Sequence, residues 1–256
     1  MSGEKKQIRE AFTKQADSYA NSAVIAAEEA RMGFMQFVGP LSTDRVLDVA
    51  TGPGFLALIF AEKTAEVVGI DLTPAMLERA EVNRIQKKII NIRFQEGDAE
   101  SLPFPDDSFD IVTCGSAFHH FSDTLHVLNE MKRVAKEKGK IAILDIVTSE
   151  TPEKAILHNQ LERWRDPSHT RNLSLSEFNR LFKRAGLQNI RTATYGTPRE
   201  LNEWFEISKS PPNVREMVRK AFIASVPGDR TGLNVHLEGE HVFFMHTFVW
   251  IVGSKS

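Results

Sequence analysis

Length, composition and charge already limit what this chain can be. Of its 256 residues, 41% are hydrophobic and 26% are charged, a composition typical of a folded protein, which excludes a largely disordered chain. The 32 lysines and arginines are balanced by 34 aspartates and glutamates, so the net charge is −2. Proteins that bind nucleic acid through many phosphates usually carry a basic excess, and we therefore expect no nucleic-acid partner.

Cysteine content and the N-terminus indicate a cytoplasmic protein. The single cysteine, Cys114, excludes an intramolecular disulfide and a multi-cysteine zinc site, and it fits a reducing compartment. The N-terminus has no apolar stretch of the kind found in signal peptides. The longest mostly apolar stretch, residues 241–253, is shorter than the roughly 20 residues of a membrane-spanning helix. These features leave the oligomeric state open.

Helices and strands alternate over the first 150 residues. Helical spacing of apolar residues predicts a first helix over residues 4–38. Composition and alternation then predict strands at residues 45–50, 66–72, 91–96, 109–114 and 140–147, with helices over residues 55–63, 73–88 and 122–134. Thr73 and Ser122 are the expected N-caps of the last two helices. Such alternation implies a parallel sheet covered on both faces, and right-handed crossovers make it doubly wound.

The alternation changes after residue 147. Thr151 and Pro152 predict the start of a helix that ends near residue 166, and Ser174 with Glu177 predicts a capping box before another helix. Further strands are expected at residues 188–195 and 242–252. Helical segments near residues 199–209 and 213–225 lie between these strands, and they are either a lid or ordinary packing helices.

A glycine-rich turn follows the first strand. Residues 46–54 end in Thr51-Gly52-Pro53-Gly54, and such a turn lets a ligand approach the backbone beside the free N–H groups of a helix start. In an open α/β sheet, ligands bind at the carboxyl ends of the strands. The turn therefore predicts a cofactor site, although a simple tight connector has the same sequence features.

Two cofactors compete for this turn. Gly52, Gly54 and Ala57 match the dinucleotide fingerprint, and Asp71 lies at a suitable distance for a ribose. Asp48, however, interrupts the apolar strand. Its carboxylate would repel a pyrophosphate and suits a cationic ligand better. An NAD-dependent oxidoreductase is therefore the less favoured interpretation.

Acidic residues also follow the second and third strands. Asp71 can accept both hydroxyl groups of a ribose, or alternatively it caps the next helix. Asp98 can accept the amino group of an adenine, for which Ala99 leaves room. A further acidic segment, residues 107–112, leads into the fourth strand.

These four segments, in this order and spacing, resemble a class I S-adenosylmethionine (SAM) methyltransferase. The run from residue 46 to residue 144 resembles the ubiquinone/menaquinone C-methyltransferase-like family, and residues 163–169 and 174–177 resemble its YcgJ-type bacterial branch. The similarity covers about residues 12–187. One departure is Ala50, where the family usually has glycine and where a methyl group is expected to affect the turn.

The resemblance implies a seven-stranded, Rossmann-like, doubly wound α/β sheet whose last strand is antiparallel, with helical lid elements. We expect one methyltransferase domain over residues 1–256. Within it, residues 1–40 form a helical cap, residues 41–150 the SAM-binding core, and residues 151–256 the substrate-side helices and the last two strands.

The resemblance also implies SAM as the cofactor and S-adenosylhomocysteine (SAH) as the product. The implied cofactor-binding residues are Asp48, Ala50, Thr51, Gly52 and Gly54 for the amino-acid end, Asp71 for the ribose, Leu72, Met76, Asp98 and Ala99 for the adenine, and Cys114 and Ser116 for the methionine end. Tyr19, in the N-terminal helix that often folds over the cofactor in this family, either contacts the methyl donor or makes an ordinary helix contact.

Methyl transfer from a sulfonium is an in-line displacement that mainly needs alignment and exclusion of water. A base is needed only if the acceptor must lose a proton. His119 and His120 follow the fourth strand, and either of them is a candidate for that base. Alternatively, one of the two histidines packs in the core and the other orders the loop. Arg165 and His169 are candidates to bind an anionic or phenolic acceptor, unless they form only a solvated helix end. We expect these four residues around one cavity.

Several acceptor classes are disfavoured. Arsenite methyltransferases need several cysteines, and a catechol-type magnesium site needs a cluster of acidic ligands, so we predict no metal site. The residues after the fourth strand, 114–117, lack the motif of DNA amino-methyltransferases. A small-molecule acceptor remains, with C- or O-methylation favoured. The alternative is a regulatory protein that binds SAM without catalysis.

The first prediction concerns the cofactor. SAM or SAH at a hundredfold excess over Kd should stabilise the native state by about 2.7 kcal/mol, whereas NAD should have no effect, because Asp48 repels its pyrophosphate. Thermal unfolding with each ligand measures the difference. A rise in Tm with NAD and none with SAM would contradict the prediction.

Overall fold

One sheet of eight strands forms the centre of the molecule. The computed structural model describes residues 3–256, apart from the side chains of residue 4 and of residues 20–28. The strands are β1 Arg45–Val49, β2 Glu66–Asp71, β3 Ile92–Glu96, β4 Phe109–Gly115, β5 Ala135–Val147, β6 Gln188–Glu200, β7 His236–Glu238 and β8 His241–Ser254. Their order is β3-β2-β1-β4-β5-β8-β6, and β7 pairs with β8.

Strand directions confirm the predicted doubly wound sheet. Neighbours among β1 to β5 are parallel, whereas β8 runs antiparallel to both β5 and β6. The predicted number of seven strands is wrong by one, because the short β7 forms a hairpin with β8. Its three residues are all exposed, so no buried apolar pattern marks them as a strand.

Helices cover both faces of this sheet. They are α1 Gly3–Val38, α2 Phe55–Ala61, α3 Pro74–Lys87, α4 Thr124–Val134, α5 Pro152–Arg165, α6 Leu175–Arg184, α7 Leu201–Ser208 and α8 Pro212–Ser225. One core cluster joins β1, β4 and β5 to α4 and α6, and a second joins the sheet to α1 and α2. Burial on both faces explains why the central strands are almost continuously apolar.

Capping confirms one predicted helix start and corrects another. The Ser174 hydroxyl accepts the Glu177 N–H at 3.4 Å, and the Glu177 carboxylate accepts the Ser174 N–H at 2.8 Å. Before α4, however, Asp123 is the N-cap and not Ser122, because the Asp123 carboxylate accepts the His126 N–H at 3.0 Å. Thr73 does occupy the N-cap of α3, but its side chain makes no capping bond.

Helix α1 is attached at both of its ends. Near its start, Lys5 forms a salt bridge with Asp98 at 2.6 Å, in the loop after β3. Near its end, Phe34 packs against the Trp250 ring of β8, with the ring centroids 6.4 Å apart. The helix therefore passes across the carboxyl ends of the parallel strands.

Helices α7 and α8 both have a packing role at the last strand. Trp204 of α7 and Phe222 of α8 lie in a third apolar cluster together with Phe244 of β8. The Trp204 and Phe244 rings meet edge to face, with centroids 5.2 Å apart. Within residues 3–256, none of the helices combines the length and the apolar character that crossing a bilayer requires.

A glycine substitution tests the packing of the first turn. Gly54 has φ +80°, and an added Cβ would lie 2.8 Å from the Phe94 ring. We expect Gly54→Ala to reduce the free energy of unfolding by about 2–4 kcal/mol, the sum of a left-handed alanine and overpacking. Gly228 has φ +79° with open space around it, so Gly228→Ala should cost only the backbone part, about 1–2 kcal/mol. Urea unfolding compares the two, and equal losses would contradict the packing argument.

Candidate active site

A cavity of about 280 Å³ opens at the carboxyl edge of the sheet. It lies where the strand order reverses between β1 and β4, the position expected for a ligand in an open α/β sheet. Fifteen of the predicted site residues line it: Tyr19, Asp48, Ala50, Thr51, Gly52, Asp71, Leu72, Met76, Asp98, Ala99, Ser116, His119, His120, Arg165 and His169. The structure therefore brings the predicted cofactor and acceptor residues together.

Two predicted cofactor residues do not line the cavity. Cys114 is fully buried in the core cluster with residues of α4 and α6. Ser116 follows the end of β4, where its φ of +53° departs from strand geometry, and it lines the cavity. Gly54 packs against Phe94 and Ala80 instead. A side chain at this position would clash with both residues. Gly54 therefore supports the packing of the turn and does not line the cavity.

The first turn is held by the buried carboxylate of Asp48. This carboxylate accepts the Thr51 hydroxyl at 2.6 Å and the Thr113 hydroxyl at 2.9 Å. Burial raises the pKa of Asp48 to about 6, although the bond from Thr51 opposes the rise. Ala50 adopts φ +52°, a conformation that glycine reaches at a lower energy. The methyl group of Ala50 therefore costs the folded state about 1–2 kcal/mol relative to glycine at this position.

Asp71 connects this turn to the next one. One of its carboxylate oxygens accepts the Gly52 N–H at 2.8 Å, and the other accepts the Thr73 N–H at 2.8 Å. Because a carboxylate offers about four lone-pair positions, it retains acceptors for the hydroxyl groups of a ligand. The ribose role and the helix-start role that were alternatives in the sequence are therefore compatible.

Lys5 was missed by the sequence analysis. Its ammonium group binds both Asp98, at 2.6 Å, and Glu100, at 2.5 Å. Asp98 also accepts the Glu100 N–H at 3.0 Å, which orients its carboxylate. Lys5 lies 93 residues before Asp98, and no local pattern indicates such a pairing. The start of α1 thus closes this end of the cavity.

The residues of the first turn fit SAM. Apart from Gly52 and its two chain neighbours, no described atom lies within 4 Å of the position that a Cβ of residue 52 would occupy. Open space therefore remains beside the turn. The carboxylates of Asp48, Asp71 and Asp98 all line this part of the cavity. An open backbone cradle surrounded by carboxylates suits a cationic nucleoside with free hydroxyl groups and an amino group.

His119 is paired with a buried carboxylate. Its Nδ1 lies 2.6 Å from Asp145 Oδ1, and its backbone N–H donates to Asp145 Oδ2 at 3.1 Å. Burial alone would lower the pKa of His119, but the negative charge of Asp145 outweighs it and the pKa is raised. The sequence showed Asp145 only as an isolated acid, and the pairing follows from the adjacency of β4 and β5.

The other two histidines of the cluster are neutral. His120 Nδ1 donates to the Ser168 carbonyl at 2.9 Å, and burial lowers the pKa of His120 to about 4. His169 Nε2 donates to the amide oxygen of Asn159 at 3.2 Å, and burial lowers the pKa of His169 to about 2. These contacts position both rings in the cavity wall but make them weak bases.

Arg165 is buried, and its environment excludes a solvated helix end. Its Nη2 donates to Glu162 Oε2 at 3.0 Å, and its guanidinium lies 4.4 Å from the centre of the Trp204 ring. The next residue, Asp166, accepts both the backbone N–H and the hydroxyl of Ser168. The loop after α5 is therefore folded back over the sheet edge, and it presents Arg165 and His169 to the cavity.

Comparison with known proteins decides the family. Residues 41–206 match a family model described as a methyltransferase domain. The chain belongs to this methyltransferase family. It is 38% identical to the methyltransferase YcgJ of Bacillus subtilis over 208 residues, which are 81% of this chain and 82% of that protein. The crystal structure of YcgJ superimposes with a TM-score of 0.83 and 33% identity, covering 89% of this chain and 98% of the other.

A second relative is similar over a shorter stretch. The demethylmenaquinone methyltransferase of Deinococcus radiodurans is 45% identical over 106 residues, so this chain spans 44% of that protein's length. The predicted resemblance is confirmed by these relatives. The protein is an SAM-dependent methyltransferase, and the interpretation as an NAD-dependent oxidoreductase is set aside.

The two bonds of Asp71 predict the effect of its removal. Asp71→Ala loses two charge-assisted bonds to backbone N–H groups as well as the proposed ribose contacts, each worth roughly 1.5–3 kcal/mol. We expect SAH affinity to fall more than tenfold, and Tm to fall in the absence of ligand. Calorimetric titration and thermal unfolding measure the two effects. Unchanged SAH affinity would contradict the assignment of Asp71.

Proposed function

We propose that this enzyme methylates a small molecule that must lose a proton from a hydroxyl group, with His119 as the general base. The observation that carries the proposal is the pairing of His119 with Asp145 in the wall of the cavity, with 2.6 Å between Nδ1 and Oδ1. A phenol or an enol is the acceptor class that best fits a base at this position.

The pairing leaves one ring nitrogen of His119 available. When Asp145 accepts the Nδ1–H, the Nε2 lone pair is free to take a proton, as in other histidine–aspartate pairs. The raised pKa of His119, set by Asp145 against the effect of burial, makes it a stronger base than an ordinary histidine. Loss of the hydroxyl proton places negative charge on the oxygen and, in a phenol, on the neighbouring ring carbons, which accounts for both O- and C-methylation.

The proposed roles of the other residues follow from their positions. Asp48, Thr51 and Gly52 would hold the amino-acid end of SAM, Asp71 the ribose, and Asp98 the adenine. SAM supplies an electrophilic methyl group on a sulfonium. Tyr19 and Ser116 line the same cavity and would exclude water beside that methyl group. Arg165 and His169 would position the acceptor.

The lining of the acceptor end supports a small aromatic substrate. Trp204, Tyr195 and Phe248 contribute aromatic surface there, and Ile207 adds an aliphatic wall. The similarity to demethylmenaquinone methyltransferase is consistent with a quinone-related acceptor. The net charge of −2 supports a small-molecule acceptor over a nucleic acid, and the single cysteine supports a reducing, cytoplasmic location.

Removing the base should slow methyl transfer without weakening cofactor binding. General base catalysis contributes about 10²–10⁴-fold, so His119→Ala should reduce kcat by at least a hundredfold while SAH affinity stays within about twofold. Asp145→Asn should give an intermediate loss, because His119 keeps its ring but loses the carboxylate that raises its pKa. His126→Ala, outside the cavity, is the matched control. A normal kcat in His119→Ala would contradict the proposed base.

The pH dependence provides a second check. A base acts only when unprotonated, so kcat/KM should fall as the pH falls through the raised pKa of His119, which lies above its ordinary value of about 6.5. In Asp145→Asn this acid limb should move to lower pH, because the raising charge is gone. If the acid limb of Asp145→Asn lies at the same pH as that of the wild type, the limb does not report His119, and the proposed base is contradicted.

The proposal as a whole is tested with labelled SAM. The protein is incubated with methyl-labelled SAM and a bacterial extract divided into small-molecule, protein and nucleic-acid fractions, and the product is identified by mass. We expect label in a small phenolic or enolic compound. Label confined to macromolecules would contradict the proposed acceptor class, and SAM binding without transfer to any fraction would favour the regulatory alternative.

A further inference from the structure

Three potential metal ligands converge beside the acceptor end of the cavity. His158 and Glu162 lie one turn apart on α5, and His246 approaches them from β8. The distance from Glu162 Oε1 is 3.5 Å to His158 Nε2 and 3.4 Å to His246 Nε2. All three ligand atoms lie within 4.8 Å of one another, and all three side chains are buried.

These separations are too long for good hydrogen bonds. Among the described residues, neither Glu162 Oε1 nor His246 Nε2 has a hydrogen-bond partner, although both atoms are buried. Such unpaired buried atoms are rare in folded proteins. Two ligands on a tetrahedral zinc ion, each about 2.1 Å from the metal, lie about 3.4 Å apart. The spacing therefore fits a shared cation better than direct contacts.

Two of the three ligand groups, Glu162 and His246, are in the ionisation states that a metal requires. Burial lowers the pKa of His246 to about 4, so its ring is neutral. Burial alone would raise the pKa of Glu162, but the positive charge of Arg165 outweighs it and holds that pKa well below its usual range. Glu162 is therefore a carboxylate.

Neighbouring groups orient the ligands, as partners of metal ligands commonly do. His158 Nδ1 lies 3.1 Å from the Thr148 hydroxyl, and donation from Nδ1 leaves the Nε2 lone pair directed at the site. Arg165 binds Oε2 of Glu162 at 3.0 Å, which leaves Oε1 for the histidines. The side-chain amide of Asn172 donates from Nδ2 to His158 Nε2 at 3.3 Å, and a metal ion at this site would replace that bond.

We propose that His158, Glu162 and His246 bind one divalent zinc-class ion and leave a coordination position open towards the acceptor end of the cavity. Three protein ligands with an open position are typical of catalytic zinc sites. Glu162 and His246 themselves line the cavity. This proposal differs from the sequence expectation of no metal site, which considered only cysteines and clustered acids.

The charge around the ion indicates what occupies the open position. Glu162, Asp166, Arg165 and Arg199 interact electrostatically within this cluster, and their four charges cancel. A divalent ion would leave the site positive, so the open position favours an anionic oxygen. If the proposed function holds, that oxygen belongs to the deprotonated acceptor.

Zinc binding to the full chain tests the site directly. The protein is stripped with a chelator, dialysed against zinc chloride and analysed for bound metal, and its affinity is measured by competition with a chelating dye. We expect one zinc per chain, with at least a hundredfold weaker binding in His246→Ala and in Glu162→Gln. His236→Ala is the matched control, because His236 is an exposed histidine 3.6 Å from Glu238, and it should bind zinc normally.

Two further measurements separate ligation from a structural role. Co²⁺ substituted for zinc should give a visible absorption band that disappears in His246→Ala. Thr148→Val removes only the hydroxyl beside His158 Nδ1 and should weaken zinc binding about tenfold. Each variant is checked for an SAH-induced rise in Tm, and where Glu162→Gln does not fold, His246→Ala and Thr148→Val decide.

The outcomes distinguish this inference from the proposed function. Absence of stoichiometric zinc in a wild-type protein that still binds SAH overturns the metal site and leaves the proposed base untouched. Zinc binding that is equal in the wild type and in the ligand variants shows surface binding only and also overturns it. Zinc bound as expected, with normal kcat in His119→Ala, leaves the metal site standing and overturns the proposed base.

Discussion

Buried carboxylates at the carboxyl edge of the sheet determine the arrangement of this enzyme. A carboxylate removed from water is stable only when other groups hold its charge, and here each one is held by a different kind of partner. Two threonine hydroxyls bind Asp48, backbone N–H groups bind Asp71, a histidine binds Asp145, and an arginine binds Glu162. Satisfying these charges orders the turns, the histidine cluster and the end of α5 around one cavity.

The two ends of the cavity are built in different ways. At the donor end, the groups around Asp48 and Asp71 come from consecutive strand–turn units, and short-range backbone bonds hold them. At the proposed acceptor end, Trp204 of α7 contacts Arg165 of α5 and both Phe244 and His246 of β8. These three elements lie far apart in the chain.

The helix α1 connects these two ends. Its Lys5 binds Asp98, a proposed adenine contact, and its Phe12 ring lies 4.8 Å from that of His120. Tyr19, further along the same helix, lines the cavity. A single helix thus contacts both the proposed cofactor region and the proposed acceptor region.

The sequence by itself determined the alternation of strands and helices, the first turn, and the acids that follow β2 and β3, because these features depend on local periodicity and on residues close together in the chain. It also singled out His119 and Arg165, but it left their roles open. Only the tertiary structure paired His119 with Asp145, turned Cys114 into the core, and brought His246 to Glu162. The His119–Asp145 and His246–Glu162 pairs join residues 26 and 84 positions apart in the chain. Their formation depends on the order of strands in the sheet and on side-chain packing, which no local sequence pattern contains.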